Sequence, residues 1–366
     1  MKFETLAIHG GNLVTDSQKP VIQPITLSTT FEHQGGSMLY SRINNPNRLA
    51  LENLMAKIEM GSEGAAFSSG NAAAMSVFQA LPHGSHVIAP DDMYHGLRAQ
   101  LEEIFEDKLE ITFTDLANQE NFKDNIQPNT KLLWMETPSN PLLKICPINV
   151  LTAIAKFNNI ATVCDNTFAT PVFQHPLKLG ADMVMHSATK YLGGHSDILG
   201  GILVTKEPNE LWGKIRKVQR IGGAVMAPWD CYLLTRSLKT LAYRMKGHAE
   251  HAGIIASFLD QHPKVEKVYY PGLVNHEGHT IALQQMSGFG GILSFLIKGG
   301  AKEANRVISR LKYFTNATSL GGVESLIERR AAVEGPNTPT PPNLIRVSVG
   351  LEHLEDLLED WEQALS

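Results

Sequence analysis

Short apolar segments alternate with helical patterns between residues 64 and 204, and this alternation limits the possible folds more than any other feature of the chain. It is typical of crossover units in a mostly parallel sheet. The sequence therefore predicts an α/β protein with a mostly parallel seven-stranded sheet. The predicted strands are Gly64–Phe67, His86–Ala89, Ile111–Phe113, Lys131–Met135, Ile160–Cys164, Met183–Met185 and Gly201–Val204.

The 366 residues are enough for about two domains. Residues 1–45, with Pro20, Pro24 and the pair Gly35-Gly36, are predicted to form an irregular arm. A helix is predicted to begin near Pro46, within a large α/β domain of residues 46–245. Residues 246–366 are predicted to form a smaller α+β domain. Its predicted elements are the helices His248–Leu259 and 354–365 and the strands Val265–Tyr269, Ile292–Ile297 and Leu344–Val349.

The composition argues against several classes of protein. Apolar residues make up 43% of the chain, and the net charge of −5 comes without a basic cluster that would bind nucleic acid. No apolar run approaches the ~20 residues needed to cross a bilayer. Cys146, Cys164 and Cys231 form no C-x-x-C pair, and the histidines show no metal-binding spacing. We therefore expect a cytoplasmic protein without a disulfide framework or a metal site.

Two predicted strands end in residues that suit a pyridoxal phosphate cofactor. Asp165 follows Ile160–Cys164, and Lys190 follows Met183–Met185 within a few residues. Ligands of open α/β sheets bind at the carboxyl ends of strands, and this cofactor needs a lysine for its aldehyde and a carboxylate for its pyridinium nitrogen. Taken singly, such a lysine is usually a solvated surface residue, and such an aspartate is usually a turn or helix cap. The pair favours the cofactor.

Small and hydroxyl residues near the same strand ends suit the phosphate of such a cofactor. Gly70 and Asn71, after Ser69, open a predicted helix, where backbone N–H groups can approach an anion. Ser187 and Thr189 precede Lys190. Taken alone, Gly70 indicates no more than a tight turn, but together these residues predict a phosphate site.

Two other strands lead to Tyr94 and Asn140. An aromatic ring there could stack on a planar cofactor, although a tyrosine packed on its own loop is an equal alternative. Asn140 lies between Pro138 and Pro141, which stiffen the turn, so its amide could hold a polar group rigidly. The alternative is an asparagine that bonds its own backbone.

The arm and the last predicted strand each carry a candidate arginine. Tyr40 and Arg42 lie in the arm, which cannot easily fold back to the edge of its own sheet. They are therefore predicted to reach the site of a neighbouring subunit, with a solvent-exposed arginine as the alternative. Arg346 is a lone cation in an apolar strand, so it needs an anionic partner. That partner is either a substrate carboxylate or a structural ion pair.

Together these motifs resemble the Cys/Met-metabolism (trans-sulfuration) family of pyridoxal-phosphate enzymes over nearly the whole chain. The resemblance implies the fold-type I architecture of aspartate-aminotransferase-like proteins, and a homotetramer, a dimer of dimers, with sites shared between subunits. The segments that carry it are Tyr40–Arg42, Asn45–Asn47, Ser69-Gly70, Tyr94, Glu136–Pro141, Asp165–Thr167, Ser187–Tyr191, Gly193–Asp197, Ser319–Ser325 and Ile345–Glu352.

The resemblance also implies a role for each matching residue. Lys190 would be the Schiff-base lysine and proton shuttle, and Asp165 would pair with the pyridine nitrogen. Tyr94 would stack on the ring and take part in proton transfer as a catalytic residue. The other cofactor-binding residues would be Ser69, Gly70, Asn71, Thr167, Ser187 and Thr189, joined by Tyr40 and Arg42 of a partner subunit. The substrate carboxylate would be bound by Asn140, Ser319 and Arg346.

The chain departs from the family pattern at three places. Asn71 stands where the family often has methionine, and the stretch after Tyr94 is short, which leaves Arg98 without an assigned role. After Glu324 the usual histidine-proline stretch is replaced by Glu328-Arg329-Arg330 and a proline-rich loop over residues 335–342. That region lines the substrate entrance in the family, so the resemblance does not carry over the preference for a substrate side chain.

The implied activity is the breaking or making of a carbon–sulfur bond in a small amino-acid substrate. A cystathionine lyase is expected first, because Arg329 and Arg330 could hold the distal carboxylate of a two-ended substrate. Both arginines could equally be solvated surface charges. Cystathionine γ-synthase and methionine γ-lyase are the next alternatives. The resemblance disfavours an aminotransferase, and the presence of Lys190, Asp165, Tyr94 and Arg346 argues against a non-enzymatic cofactor-binding regulator.

Overall fold

The computed structural model describes residues 1–14, 19–33, 36, 38–335 and 338–366. Gly35 of the predicted arm and Pro336 and Asn337 of the proline-rich loop lie outside these described residues. The strands are β1 (Glu63–Phe67), β2 (Ser85–Pro90), β3 (Leu109–Thr114), β4 (Thr130–Glu136), β5 (Ala161–Asp165), β6 (Met183–Ser187), β7 (Gly201–Thr205), β8 (Val265–Tyr269), β9 (Ile292–Ile297), β10 (Thr315–Asn316), β11 (Leu326–Arg329) and β12 (Leu344–Ser348).

Helices connect most of these strands. The α-helices are α1 (Phe3–His9), α2 (Pro46–Ile58), α3 (Gly70–Ala80), α4 (His95–Ala99), α5 (Gln119–Asp124), α6 (Ile148–Phe157), α7 (Thr170–Phe173), α8 (Glu210–Gly222), α9 (Pro228–Leu238), α10 (Leu241–Asp260), α11 (His279–Gln285), α12 (Gly300–Arg310), α13 (Arg330–Glu334) and α14 (Leu354–Leu365), and α4 continues as a π-helical turn over Gln100–Ile104. Among the described residues, no helix combines the length and the apolarity that crossing a bilayer requires.

The seven predicted strands form one sheet, with the order β1-β7-β6-β5-β4-β2-β3. Six of the strands run in one direction, and β7 is antiparallel to both of its neighbours. Both faces are covered by apolar side chains, since Val184 packs in the core on one face and Met185 in the core on the other. Burial on both faces explains why these strands are continuous apolar runs and not alternating ones. The prediction of a mostly parallel seven-stranded sheet is confirmed.

A buried hydrogen bond between a histidine and a glutamate lies beneath the middle of this sheet. His186, in β6, and Glu59, just after α2, are both fully buried, with Nε2 of the histidine 2.5 Å from Oε1 of the glutamate. The side chain of Asn166 donates a hydrogen bond of 3.4 Å to the same carboxylate. These polar groups lie on the face opposite to Met185 and Ser187, because side chains alternate along a strand.

The C-terminal region has its own sheet of five strands, with the order β10-β11-β12-β9-β8. The predicted strands β8, β9 and β12 are confirmed. The sequence did not predict β10, which has two exposed residues, or β11, whose last two residues are Glu328 and Arg329. Charged residues and short length remove the apolar pattern by which strands are recognised.

Two predictions about helices need correction. The arm is not irregular throughout, because residues 3–9 form α1, which buries Ala7 and packs Phe3 and Leu6 against the core beside α2 and α10. The helix predicted from His248 begins at Leu241. The domain division proposed at residue 245 therefore falls within α10, which contacts both β9 and α7.

Candidate active site

A cavity of about 350 Å³ opens at the carboxyl ends of β4, β5 and β6. It also receives residues from the turn between β1 and α3, from the segment after β2, and from β12 of the second sheet. Nearly all of the residues predicted to hold cofactor and substrate line it: Ser69, Gly70, Asn71, Tyr94, Asn140, Asp165, Thr167, Ser187, Thr189, Lys190, Ser319 and Arg346.

Lys190 presents an amine to this cavity that is easily deprotonated. Its Nζ donates a hydrogen bond of 3.0 Å to Oγ of Ser319. Burial lowers the pKa of Lys190 to about 8, and the nearby Arg346 guanidinium acts in the same direction. A buried cation is disfavoured by the loss of water and by neighbouring positive charge. The neutral, nucleophilic fraction of Lys190 near neutral pH is therefore larger than for an ordinary lysine.

Asp165 places a buried carboxylate in the same cavity. Its Oδ1 accepts hydrogen bonds from the backbone N–H and the hydroxyl of Thr167, at 2.9 and 2.5 Å. Burial raises the pKa of Asp165, whereas the bonds from Thr167 oppose that rise by favouring the ionised form. Thr167 in turn accepts a hydrogen bond of 2.9 Å from the backbone N–H of Ser187. This chain of bonds ties the end of β5 to the end of β6.

The start of α3 forms a cradle for an anion. Oγ of Ser69 accepts a hydrogen bond of 3.0 Å from the backbone N–H of Ala72, which caps the helix. The first N–H groups of a helix have no partner within the helix and carry its positive dipole. A side chain at Gly70 would meet Cβ and Oγ of Ser187 at 3.0 and 3.1 Å, so glycine allows the helix start to approach the hydroxyl.

These observations fit pyridoxal phosphate. The cavity offers an amine of lowered pKa for an aldehyde, a buried carboxylate for a pyridinium nitrogen, and a helix start with hydroxyl groups for a phosphate. Each of the three groups comes from a different element, and all three line one cavity.

Arg346 offers the cavity a guanidinium that hydrogen bonds already orient. Its Nη1 donates to Oδ1 of Asn140 at 3.0 Å, and its Nη2 donates to the backbone oxygen of Ser319 at 2.9 Å. Burial lowers the pKa of Arg346 to about 10, so the side chain stays charged at neutral pH. Ser319 adopts a φ of 127°, a conformation that is rare for a residue with a side chain. This geometry lets it contact both Arg346 and Lys190.

Sequence reasoning gave no role to two acidic residues of the cavity region, Glu136 and Glu328. Glu136 lines the cavity and its Oε2 accepts a hydrogen bond of 2.9 Å from the backbone N–H of Tyr94. Burial and the neighbouring Asp165 carboxylate raise the pKa of Glu136 well above its usual range. Glu328 pairs with Arg346, and Arg330 lines the cavity while pairing with Glu328. Glu328 lies directly opposite Arg346 in the β11–β12 ladder, so its role could be predicted only from the register of these two strands.

Several candidate residues lie outside this cavity. Tyr40 is 40% exposed, and Nη1 of Arg42 donates to the backbone oxygen of Arg220 at 2.6 Å. Arg98 stacks on the ring of Phe113, with its guanidinium carbon 4.0 Å from the ring centroid.

Arg329 and Glu324 also make their contacts outside this cavity. Arg329 is partly buried, donates to the side chain of Asn305 at 2.9 Å and does not line the cavity. Glu324 accepts a hydrogen bond from the hydroxyl of Ser196.

The fold and the cavity together define a pyridoxal-phosphate enzyme with an α/β large domain. The family model for "Cys/Met metabolism PLP-dependent enzyme" matches residues 4–366, and the chain belongs to this family. A cystathionine beta-lyase of Lactococcus lactis subsp. cremoris is 46% identical, over 99% of this chain and 98% of that protein. A cystathionine gamma-synthase of Mycobacterium bovis is 43% identical, over 99% and 96%.

A solved structure has the same fold over its whole length. The cystathionine gamma-lyase of Lactobacillus plantarum, complexed with L-serine, superposes with a TM-score of 0.94 and is 39% identical. The comparison covers 100% of this chain and 98% of that one. The resemblance inferred from the motifs is thereby confirmed.

Proposed function

We propose that this enzyme is a cystathionine lyase, which cleaves a carbon–sulfur bond of cystathionine to give a thiol amino acid, a 2-oxo acid and ammonia. The names of the related lyases support this proposal. The structural observation that carries it is one cavity lined by both the Lys190 amine and the Arg346 guanidinium, each of which donates a hydrogen bond to Ser319. An α-carboxylate on Arg346 would leave the α-carbon beside Lys190.

Pyridoxal phosphate, when bound, would supply a conjugated ring that withdraws electrons from the α-carbon of the substrate. Lys190 would hold its aldehyde, and Asp165 would pair with its ring nitrogen. Ser69, Gly70, Asn71, Ser187 and Thr189 would hold its phosphate. The carboxylate of Asp165 is suited to this task, because Thr167 fixes its orientation through two hydrogen bonds.

Lys190 would also carry the protons of the reaction. Loss of sulfur from Cβ requires one proton to leave, at Cα, whereas loss from Cγ requires a second, at Cβ. A flexible amine with a pKa of about 8 can accept and return a proton near neutral pH. The hydroxyl of Ser319 would direct this amine toward the substrate.

Tyr94 would cover the ring of the cofactor and shield the reaction from water. Its ring lies over the start of α4, where a side chain at Gly96 would approach a Tyr94 ring carbon to 2.6 Å. Glycine at that position therefore leaves the space that the tyrosine occupies. The hydrogen bond that the Tyr94 backbone N–H donates to Glu136 would hold in place the backbone from which this ring extends.

Tyr40 and Arg42 would complete the site of a neighbouring subunit in a homotetramer. Both lie on the described part of the arm, outside the cavity of their own chain, and Tyr40 is 40% exposed. A pair of an aromatic and a basic residue suits the phosphate of the cofactor. We also propose a cytoplasmic location, which is supported by three buried cysteines present as free thiols.

One assay separates the candidate reactions. Purified enzyme loaded with cofactor is mixed with cystathionine, and the 2-oxo acids are distinguished by mass. Pyruvate indicates cleavage on the Cβ side and 2-oxobutyrate cleavage on the Cγ side. Cystathionine γ-synthase is the second candidate, favoured by the 43% identical relative of that name. Formation of cystathionine from an O-acylhomoserine and cysteine, without cleavage of cystathionine, would replace the lyase proposal. Preferential cleavage of methionine would indicate a methionine γ-lyase.

A further inference from the structure

Four buried side chains of alternating charge form a line that starts at Arg346. Arg346 pairs with Glu328, and Oε1 of Glu328 also accepts a hydrogen bond of 2.8 Å from Nη1 of Arg330. Arg330 donates to Oε1 of Glu334 from Nη2 at 2.8 Å and from Nε at 3.1 Å. Only 4–7% of each side chain is exposed.

Glu328 competes with any carboxylate that binds Arg346. The Nη2 group of Arg346 is already shared between Glu328 and the backbone of Ser319. A buried arginine paired with one carboxylate forms a neutral unit, which attracts a second carboxylate weakly. Here the Glu328 carboxylate is divided between two arginines, because Oε1 accepts from both Arg346 and Arg330.

Arg330 is itself held in a fixed orientation. Two of its donors bind Glu334, whose Oε2 accepts hydrogen bonds of 2.6 Å from the hydroxyls of Thr338 and Thr340. A guanidinium fixed on one side in this way presents its remaining Nη1 group to Glu328. The line therefore ends in a segment that the chain has in place of the usual family sequence after Glu324.

We propose that Arg330 is a positioning residue for substrate binding, because it shares Glu328 and so leaves positive charge on Arg346 for the α-carboxylate of an amino acid. This inference deepens the proposed function, since it rests on Arg346 as the group that binds the substrate carboxylate. It assigns Arg330 no contact with the reacting atoms. Without Arg330, the full charge of Glu328 would fall on Arg346.

The test compares two ligands that differ by one carboxylate. Glycine and methylamine are titrated into cofactor-loaded enzyme, and the dissociation constants are read from the absorbance of the cofactor. Glycine has no group to eliminate, so binding is measured without turnover. Arg330→Gln is expected to weaken glycine binding about tenfold or more, as for loss of one charge-assisted contact, and to leave methylamine binding nearly unchanged. Arg329→Gln, which changes the adjacent arginine outside the cavity, is the matched control and is expected to alter neither.

A second variant tests the sharing of Glu328 directly. Glu328→Gln combined with Arg330→Gln removes the competing carboxylate and is expected to bind glycine more tightly than Arg330→Gln alone. Equal losses for glycine and methylamine, an unchanged glycine affinity, or a double variant weaker than the single one would overturn the inference.

Two controls distinguish a failure of this inference from a folding defect and from a failure of the proposed function. If Arg330→Gln does not fold, as judged by thermal unfolding, Arg330→Lys replaces it. This variant keeps the charge and is expected to retain most of the glycine affinity, and loss of both ligands together would count against the inference. An enzyme that binds glycine in this pattern but does not cleave cystathionine would refute the proposed function and leave the role of Arg330 intact.

Discussion

Replacing Lys190 with methionine should make the cofactor-free protein more stable at neutral pH. Lys190 has its pKa lowered from an ordinary 10.5 to about 8, mainly by burial. Below pH 8 Lys190 is protonated in both states, but the protonated amine is less favourable in the folded chain than in the unfolded chain. This difference lowers the free energy of unfolding by about 3 kcal/mol. Methionine fills similar space without charge. It loses the bond to Ser319, worth about 1 kcal/mol, so a net gain of roughly 2 kcal/mol in the free energy of unfolding is expected.

The sign of this effect depends on pH in a defined way. Between pH 8 and pH 10.5 the unfolded chain binds the Lys190 proton and the folded chain releases it, so wild-type stability rises with pH relative to the variant. Urea unfolding of both cofactor-free proteins at pH 7 and pH 10 measures the difference. The advantage of Lys190→Met should shrink strongly at pH 10. A variant less stable than wild type at pH 7, or an advantage that does not depend on pH, would refute the reasoning.

Three further outcomes are expected. Lys190→Ala should lose the borohydride-reducible link to the cofactor, and finding the reduced cofactor on another lysine in digested wild-type protein would contradict this. Asp165→Asn should still bind cofactor but slow removal of the α-proton about 10²-fold or more, which exchange of that hydrogen with deuterated solvent measures; a near-normal rate would rule out its role. Mixing inactive Arg42→Ala and Lys190→Ala subunits should restore some activity, and no recovery despite demonstrated subunit exchange would eliminate the shared site.

The sequence predicted the large sheet well because its strands are buried on both faces. Runs such as residues 131–135 are apolar at almost every position, and that pattern does not depend on neighbouring strands. The short helix α1 and the strands β10 and β11 were missed for the opposite reason. Each is brief or carries charged residues, so tertiary contacts stabilise it more than its own sequence does.

The site was predictable where residues end strands of a known direction. Asp165 and Lys190 follow neighbouring parallel strands, so their meeting at one edge follows from topology. The pairing of Glu328 with Arg346 depends on the register of two antiparallel strands. That register cannot be read without predicting β11. The position of Arg98 on Phe113, outside the cavity, depends on side-chain packing that no motif reports.

The buried pair of His186 and Glu59 helps to specify the register of β6 in the sheet. Alternation along β6 places Ser187 toward the cavity and His186 toward Glu59. A slip of one residue would turn a histidine toward the cofactor and leave a fully buried carboxylate facing a serine. Misaligned pairings of β6 with β5 or β7 are thus penalised before any ligand binds. The register that positions Lys190 is therefore supported by His186 and Glu59, two side chains that do not line the cavity.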